Sequence, residues 1–294
     1  MTVDVARLQG ALDRVGARWQ AAEQPAATMG RLDFAVRLGF VPGPGRPSLA
    51  ARELAARTGF GATSGADDPA TPAASDWRSE QGHDWVTPVK DQGDCGSCVA
   101  FGSTAAVEAA CRIAAATPSL DIDLSEADLF YCVAGSQGRT CDGPAGGWWP
   151  EGALDAYRDV GVPPESCFPY VAGDQRCHQV TDPHAPFTKI TGWKRLHGVG
   201  AGRAWIAEHG PVVACLSVYD DFRAYSSGVY HHVDGDLLGG HCVCLVGFDH
   251  ATECWIAKNS WGTGWGDGGF FRIGYGQCGI DQEMWAIDGV VAAA

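Results

Sequence analysis

The stretch Gln92-Gly-Asp-Cys95-Gly-Ser-Cys98-Val-Ala-Phe101 constrains this chain more than any other. Glycines and an aspartate form a turn and an apolar run follows at once, so Cys98 falls where a turn enters a helix. The start of a helix leaves its first N–H groups without partners and carries the positive end of the helix dipole. A thiol held there is favoured as its thiolate, and the same N–H groups can receive an oxyanion. Taken alone, the Cys95-x-x-Cys98 pair is equally compatible with a disulfide or with half of a zinc site. A thioredoxin-like redox pair would need a βαβ pattern that the flanks lack. Far downstream, Gly239-Gly-His241-Cys-Val-Cys-Leu245 begins an apolar strand with a histidine, and Asn259, the sole asparagine of 294 residues, follows. Cysteine, histidine and a carboxamide in that order point to a thiol nucleophile and acyl transfer.

These residues resemble the papain and cathepsin cysteine peptidases, whose signature places His and Asn about 130–150 residues after the cysteine. His241 meets that spacing, and Asn259 lies slightly beyond it. Further matches follow in order over roughly residues 75–288: Trp77-Arg78, Thr87-Pro-Val-Lys90, Leu124-Ser-Glu126, Gly146-Gly147, Phe168-Pro-Tyr170, Gly240-His241 and Lys258-Asn-Ser-Trp-Gly262-Thr-Gly-Trp-Gly266. The resemblance implies a papain-like α+β fold of two lobes, a helical lobe at about 75–188 and an antiparallel sheet lobe at about 189–290, with the cleft between them. Cys98 would be the nucleophile, His241 the general base and then acid, and Asn259 the acceptor that fixes the imidazole. Gln92 would add a side-chain donor to the oxyanion, and Trp261 would shield the His241–Asn259 bond. Gly146, Gly147 and Gly240 would leave bare main chain for a peptide substrate. Trp148 and Trp149 would wall the pocket for the residue preceding the scissile one, with Cys215; the alternative is that the two tryptophans pack the core. Glu283, in Cys278-Gly-Ile-Asp-Gln-Glu283, would lie at that pocket's floor, as a glutamate does in cathepsin B, and admit arginine; the alternative turns it out to solvent. Val99 stands where the family usually has a large aromatic. No metal and no cofactor is implied.

Twelve cysteines call for either disulfides or reduced, buried small side chains. The resemblance implies the pairs Cys95–Cys141 and Cys132–Cys177. A third bridge, common in the family, lacks its partner for Cys278, because Gly228 to Gly240 holds no cysteine. Alternation along the strand sends His241, Val243 and Leu245 to one face and Cys242 and Cys244 to the other. Disulfides favour an oxidising compartment, yet the first residues lack the basic-then-apolar order of a secretory leader, so localisation stays open.

In the first forty residues Val5, Leu8, Leu12, Val15 and Trp19 recur at helical steps, and Leu32, Val36 and Phe40 suggest a second helix. Pro42-Gly-Pro-Gly45-Arg-Pro47 cannot continue a helix, Leu49 to Thr58 resumes one, and Ala62 to Ala74 reads as an exposed linker. The expected organisation is a prosegment and linker over 1–74 and a peptidase domain over 75–294, with the prosegment acting as an intramolecular inhibitor. Helices are expected over Cys98 to Ala115 and Glu151 to Asp159, and strands over Val212 to Val218, Cys242 to Phe248, Cys254 to Lys258 and Phe270 to Ile273. With 21 basic against 35 acidic residues the net charge is −14, which repels nucleic acid and anionic lipid. No apolar run spans a bilayer, and a monomer is expected. Two decoys are set aside. Gly264-Trp-Gly266-Asp-Gly-Gly269 precedes a strand rather than a helix, and His231-His232 point to opposite faces of a strand. The function expected is a cysteine endopeptidase made as a latent zymogen; a dormant peptide-binding scaffold and an acyl transferase are the alternatives.

Overall fold

The computed structural model describes residues 2–58, 70–178, 180 and 186–291. The N-terminal part contains α1 (Val5–Val15), β1 (Trp19–Ala21), α2 (Pro25–Thr28), α3 (Arg31–Ala35) and α4 (Leu49–Thr58). Then follow β2 (Ala74–Asp76), α5 (Cys98–Ala114), α6 (Pro150–Asp159), β3 (Trp193–Leu196) and α7 (Gly198–His209). The remaining strands are β4 (Val212–Tyr219), β5 (Tyr225–Tyr230), β6 (Leu237–Asp249), β7 (Cys254–Lys258), β8 (Phe270–Gly274) and β9 (Met284–Ile287). Most of the expected linker, residues 62–69, lies outside the described residues.

The sheet runs in the order β1-β5-β8-β7-β6-β4-β9-β3, and β2 pairs with the far end of β6. It is antiparallel except where β5 meets β8 in parallel, Val229 opposite Arg272. That parallel contact departs from the expected all-antiparallel lobe: a buried aromatic group of Phe222, Tyr225, Tyr230 and Phe271 packs around these two strands. β4 is buried at all eight positions, so Val212-Val-Ala-Cys-Leu-Ser-Val-Tyr219 shows no alternation. α5 packs on β6 and β4 on one side of the sheet, and α7 packs on β6. Gly102 makes the first contact possible: a Cβ there would meet Cys242 Sγ at 3.1 Å and the Val243 main chain at 3.2 Å. Helix and strand therefore touch through main chain, with Cys98 one turn earlier on the same helix.

Two disulfides tie the loops of the helical half, Cys95–Cys141 and Cys132–Cys177, the pairs the resemblance implied. The first fixes the turn before α5, where the Gly96 N–H also donates to the Cys141 carbonyl at 2.8 Å.

The N-terminal part does not form a separate body. β1 extends the sheet beside β5, with Trp19 opposite Gly228. The helical stripe from Val5 to Trp19 is thus corrected: Gly16 closes α1 in the left-handed conformation, Val15 is exposed, and Trp19 is a buried strand residue. The second stripe fails likewise, because Leu32 is exposed and Phe34 carries the burial. The Phe34 ring meets Trp261 edge-on at 5.1 Å and lies under the Arg223 guanidinium at 5.1 Å. β2, at the expected boundary, belongs to the sheet rather than to the helical half. Among the described residues no helix is long and apolar enough to cross a membrane.

Candidate active site

Cys98 is the first residue of α5, buried, after a turn whose Ser97 hydroxyl is tied to the Tyr170 hydroxyl at 2.8 Å rather than capping the helix. The main-chain N–H groups of Cys242, Gly39 and Val99 donate to its sulfur. His241 sits on β6 opposite Leu216 of β4. Its Nε2 lies 2.7 Å from Asn259 Oδ1, and that oxygen also accepts from the Ser260 N–H at 2.8 Å. Because Oδ1 only accepts, Nε2 must carry the proton, which leaves Nδ1 as the basic nitrogen. His241 Nδ1 is buried and meets no hydrogen-bond donor. Trp261 covers the pair, its ring 4.5 Å from the imidazole, and is braced by Trp265 and Phe222 at 4.8 and 5.8 Å.

Gln92 is oriented by Ser260, whose hydroxyl donates to Oε1 at 2.7 Å, and by the Ser260 carbonyl, which accepts the Gln92 N–H at 2.9 Å. Its Nε2 donates to two carbonyls, those of Cys95 at 2.7 Å and Arg37 at 2.9 Å. One amide hydrogen therefore serves the turn and the other points to an oxygen carried by the N-terminal segment. Ser260 was not singled out from the sequence; its place beside Asn259 and Trp261 was the available signal.

The main chain of residues 37–41 lies across this constellation. The Gly39 carbonyl accepts from the Trp148 N–H at 2.8 Å, and the Val41 N–H donates back to the Trp148 carbonyl at 2.9 Å. On the other side the Phe40 N–H donates to the Gly240 carbonyl at 3.0 Å. The approach is so close that side chains are excluded. A Cβ on Gly39 would come to 1.8 Å from the Gly96 carbonyl oxygen, one on Gly147 to 2.2 Å from the Gly39 oxygen, and one on Gly240 to 2.6 Å from the Phe40 oxygen. Gly146 is different: its missing Cβ makes room for Asp142 of its own loop, and Arg139 holds the Gly146 and Gly147 carbonyls at 2.7 and 2.5 Å.

The expected pocket residues are placed differently from one another. The Trp148 ring is buried in the core with its indole N–H donating to Gln137, so only its main chain lines the cleft. Trp149 packs against Gly43, and Arg139 lies over its ring. Cys215 lines a small cavity with Phe40, Arg52, Leu216 and Gln282. Glu283 faces inward and is paired with Arg46 and Arg52, with Arg195 Nε at 3.5 Å. Arg195 in turn binds Glu151 at 2.5 Å. Glu151 and Arg195 were invisible as partners in the sequence, since β9, β3 and α6 bring them together only in space.

A model of the papain family cysteine proteases matches residues 71–287. The chain belongs to this family. It is 34% identical over 218 residues, 66% of its length, to cathepsin B-like protease 1 of Arabidopsis thaliana, and the match spans 56% of that relative. The structure resembles procathepsin B S9 from Trypanosoma congolense with a TM-score of 0.77 at 24% identity, covering 98% of this chain and 97% of the other. It also resembles the digestive procathepsin L2 of Tenebrio molitor larval midgut, with a TM-score of 0.75 at 27% identity, covering 96% and 88%. Both neighbours are proforms, and coverage this complete includes the N-terminal segment of this chain. Papain-family members are cysteine proteases, which hydrolyse peptide bonds.

Burial sets the charge state of Cys98 and His241 beneath residues 37–41. Burial pushes the Cys98 thiol well up, against the three main-chain donors. Burial likewise lowers His241 to about 4, with the Asn259 bond opposing. Both groups are neutral under their cover near neutral pH. The sign of the linkage follows. With Cys98 replaced by alanine, so that no thiol proton is shared, an uncovered imidazole near its ordinary value of about 6.5 binds a proton that the covered one refuses. Covering is therefore unpenalised above about 6.5 and weakens by about 1.4 kcal/mol per pH unit on the way down to about 4. Titrating dissociation of the cut N-terminal segment from the Cys98→Ala remainder should show that slope, and adding His241→Gln should abolish it.

Proposed function

We propose that the chain is a cysteine endopeptidase held latent by its own residues 1–74, acting through Cys98, His241, Asn259 and Gln92. The observation that carries this reading is the coexistence of an intact nucleophile, base and orienting carboxamide with N-terminal main chain lying over them. A scaffold that had lost catalysis would have no need of an oriented Nε2–H on His241 or of Ser260 behind Gln92.

Once uncovered, the Cys98 thiol passes its proton to His241 Nδ1 and the thiolate attacks a peptide carbonyl carbon. The oxyanion draws one hydrogen bond from the Gln92 amide hydrogen now directed at the Arg37 carbonyl, and another from the start of α5. Imidazolium returns its proton to the departing amine, leaving a thioester on Cys98. His241 then takes a proton from water, whose oxygen attacks the thioester; collapse of this second oxyanion releases the acid and restores the thiol. Throughout, Asn259 holds the ring in register and Trp261 keeps water from their bond.

Glu283 supplies the specificity side of the proposal. Its two prosegment arginines occupy the pocket as guanidinium groups, so a substrate arginine before the scissile residue would replace them once the segment leaves. Arg195 stays behind but is shared with Glu151, so Glu283 is left only partly compensated when the segment departs, which favours a cationic substrate side chain over a purely apolar one.

With the chain cut in its linker, Cys98→Ala should retain the fold and hydrolyse no peptide, and Gln92→Ala should lower kcat by roughly 10²–10³, the scale for one oxyanion donor. Undiminished turnover by Cys98→Ala would refute the nucleophile. Two substrates differing only in Arg or Phe before the scissile residue test the pocket: Glu283→Ala should lose rate selectively on the Arg substrate, and parallel changes on both would contradict the assignment.

A further inference from the structure

Three reduced cysteines converge at the nucleophile, and the proposed hydrolysis uses only one of them. Cys242 follows the base on β6, and its main-chain N–H donates to the Cys98 sulfur. Its side chain lies against Gly102, one helical turn beyond Cys98, at 3.1 Å from where a Cβ would stand. Directly across the ladder Cys215 of β4 opposes Cys242, and both side chains are buried. All three are buried and none belongs to the two disulfides. A second thiol behind a thiolate nucleophile, joined to it by a glycine-mediated helix–strand contact, has the makings of a resolving cysteine.

We infer that Cys98 and Cys242 form a reversible oxidative modification site, in which Cys242 captures the oxidised nucleophile and protects it from irreversible loss. The oxidant is a hydroperoxide, and the inference rests on the assignment of Cys98 as the nucleophile. The Cys98 thiolate attacks one peroxide oxygen, the O–O bond breaks, and water or alcohol leaves with a proton, giving Cys98 sulfenic acid. The Cys242 sulfur then attacks the Cys98 sulfur and its thiol proton leaves with the sulfenic hydroxyl as water, closing a disulfide. Two thiols lose two electrons and the peroxide gains them; an external dithiol reverses the change by exchange. Without the second thiol, a further peroxide would carry Cys98 to sulfinic acid, which dithiols do not reduce. Cys215, paired across the strand from Cys242, packs beside it in the buried cluster. In the covered chain Gly39 seals the nucleophile, so the latent form resists and the uncovered form responds.

The test uses the full chain before and after cutting in the linker, exposed to a small excess of hydrogen peroxide and then to dithiothreitol. Peptide mapping of the oxidised, cut wild type should find Cys98 joined to Cys242, lighter by two hydrogens, and the dithiol should restore activity. The uncut chain should show no such link. In Cys242→Ala, scored against its own untreated rate, the same dose should leave Cys98 as sulfinic acid and abolish recovery. The inference is overturned if oxidised wild type carries sulfinic Cys98 with no link. A link between Cys215 and Cys242 with Cys98 overoxidised overturns it too, as does recovery in Cys242→Ala equal to wild type. The link map in unaltered protein decides the matter even where the variant folds poorly. Loss of hydrolysis in Cys98→Ala is a separate readout, so failure here leaves the peptidase assignment standing.

Discussion

The contact of α5 with β6 through Gly102 is the constraint on which the rest of the site depends. It presses the first turn of a helix against the strand that carries His241, so two residues far apart in sequence share one buried spot. Everything else holds that contact in register. The Cys95–Cys141 disulfide fixes the turn that leads into the helix, the Tyr170 hydroxyl ties Ser97 and the Gln92 carbonyl, and Ser260 binds the Gln92 side chain to the segment that carries Asn259 just after β7. His241, Asn259 and Gln92 are thereby joined through Ser260, and Cys98 is held beside them at the start of α5.

Main chain, not side chains, covers that unit. Residues 37–41 can reach it because Gly39, Gly96, Gly147 and Gly240 present bare backbone to one another. The cover supplies a carbonyl to Gln92 and a donor to the Cys98 sulfur, the two kinds of contact a reacting peptide would exploit, while removing the water a charged pair needs. Latency in this account is a matter of dielectric as much as of obstruction. The same segment is anchored at both ends, by Phe34 on Trp261 and by Arg46 and Arg52 on Glu283, so its middle cannot slide away alone.

Much of this was legible in the chain. Turn chemistry followed by an apolar run placed Cys98 at the helix start. The strand of His241 and the lone Asn259 were readable because their neighbours are apolar and their spacing matches a known family. What escaped was three-dimensional pairing. Trp19 looked like the last member of a helical stripe because periodicity cannot see that Gly16 ends the helix in the left-handed conformation. Phe34 was passed over for Leu32 and Val36, since only its partners Trp261 and Arg223, some two hundred residues away, make it the buried one. Trp148 was expected in the pocket because tryptophan pairs beside glycines suggest a wall; its indole N–H instead finds Gln137 within the core. Glu151 and Arg195 gave no local sign at all.

The central claim is that the nucleophile is complete but sealed by its own N-terminal main chain. The most direct measurement is the stoichiometry and rate of Cys98 alkylation by a small thiol reagent on the full chain, before and after proteolysis in the linker. The account predicts negligible reaction at Cys98 in the uncut chain and one equivalent of fast labelling, confined to Cys98, once the segment is released. Fast, stoichiometric labelling of the uncut chain would contradict it.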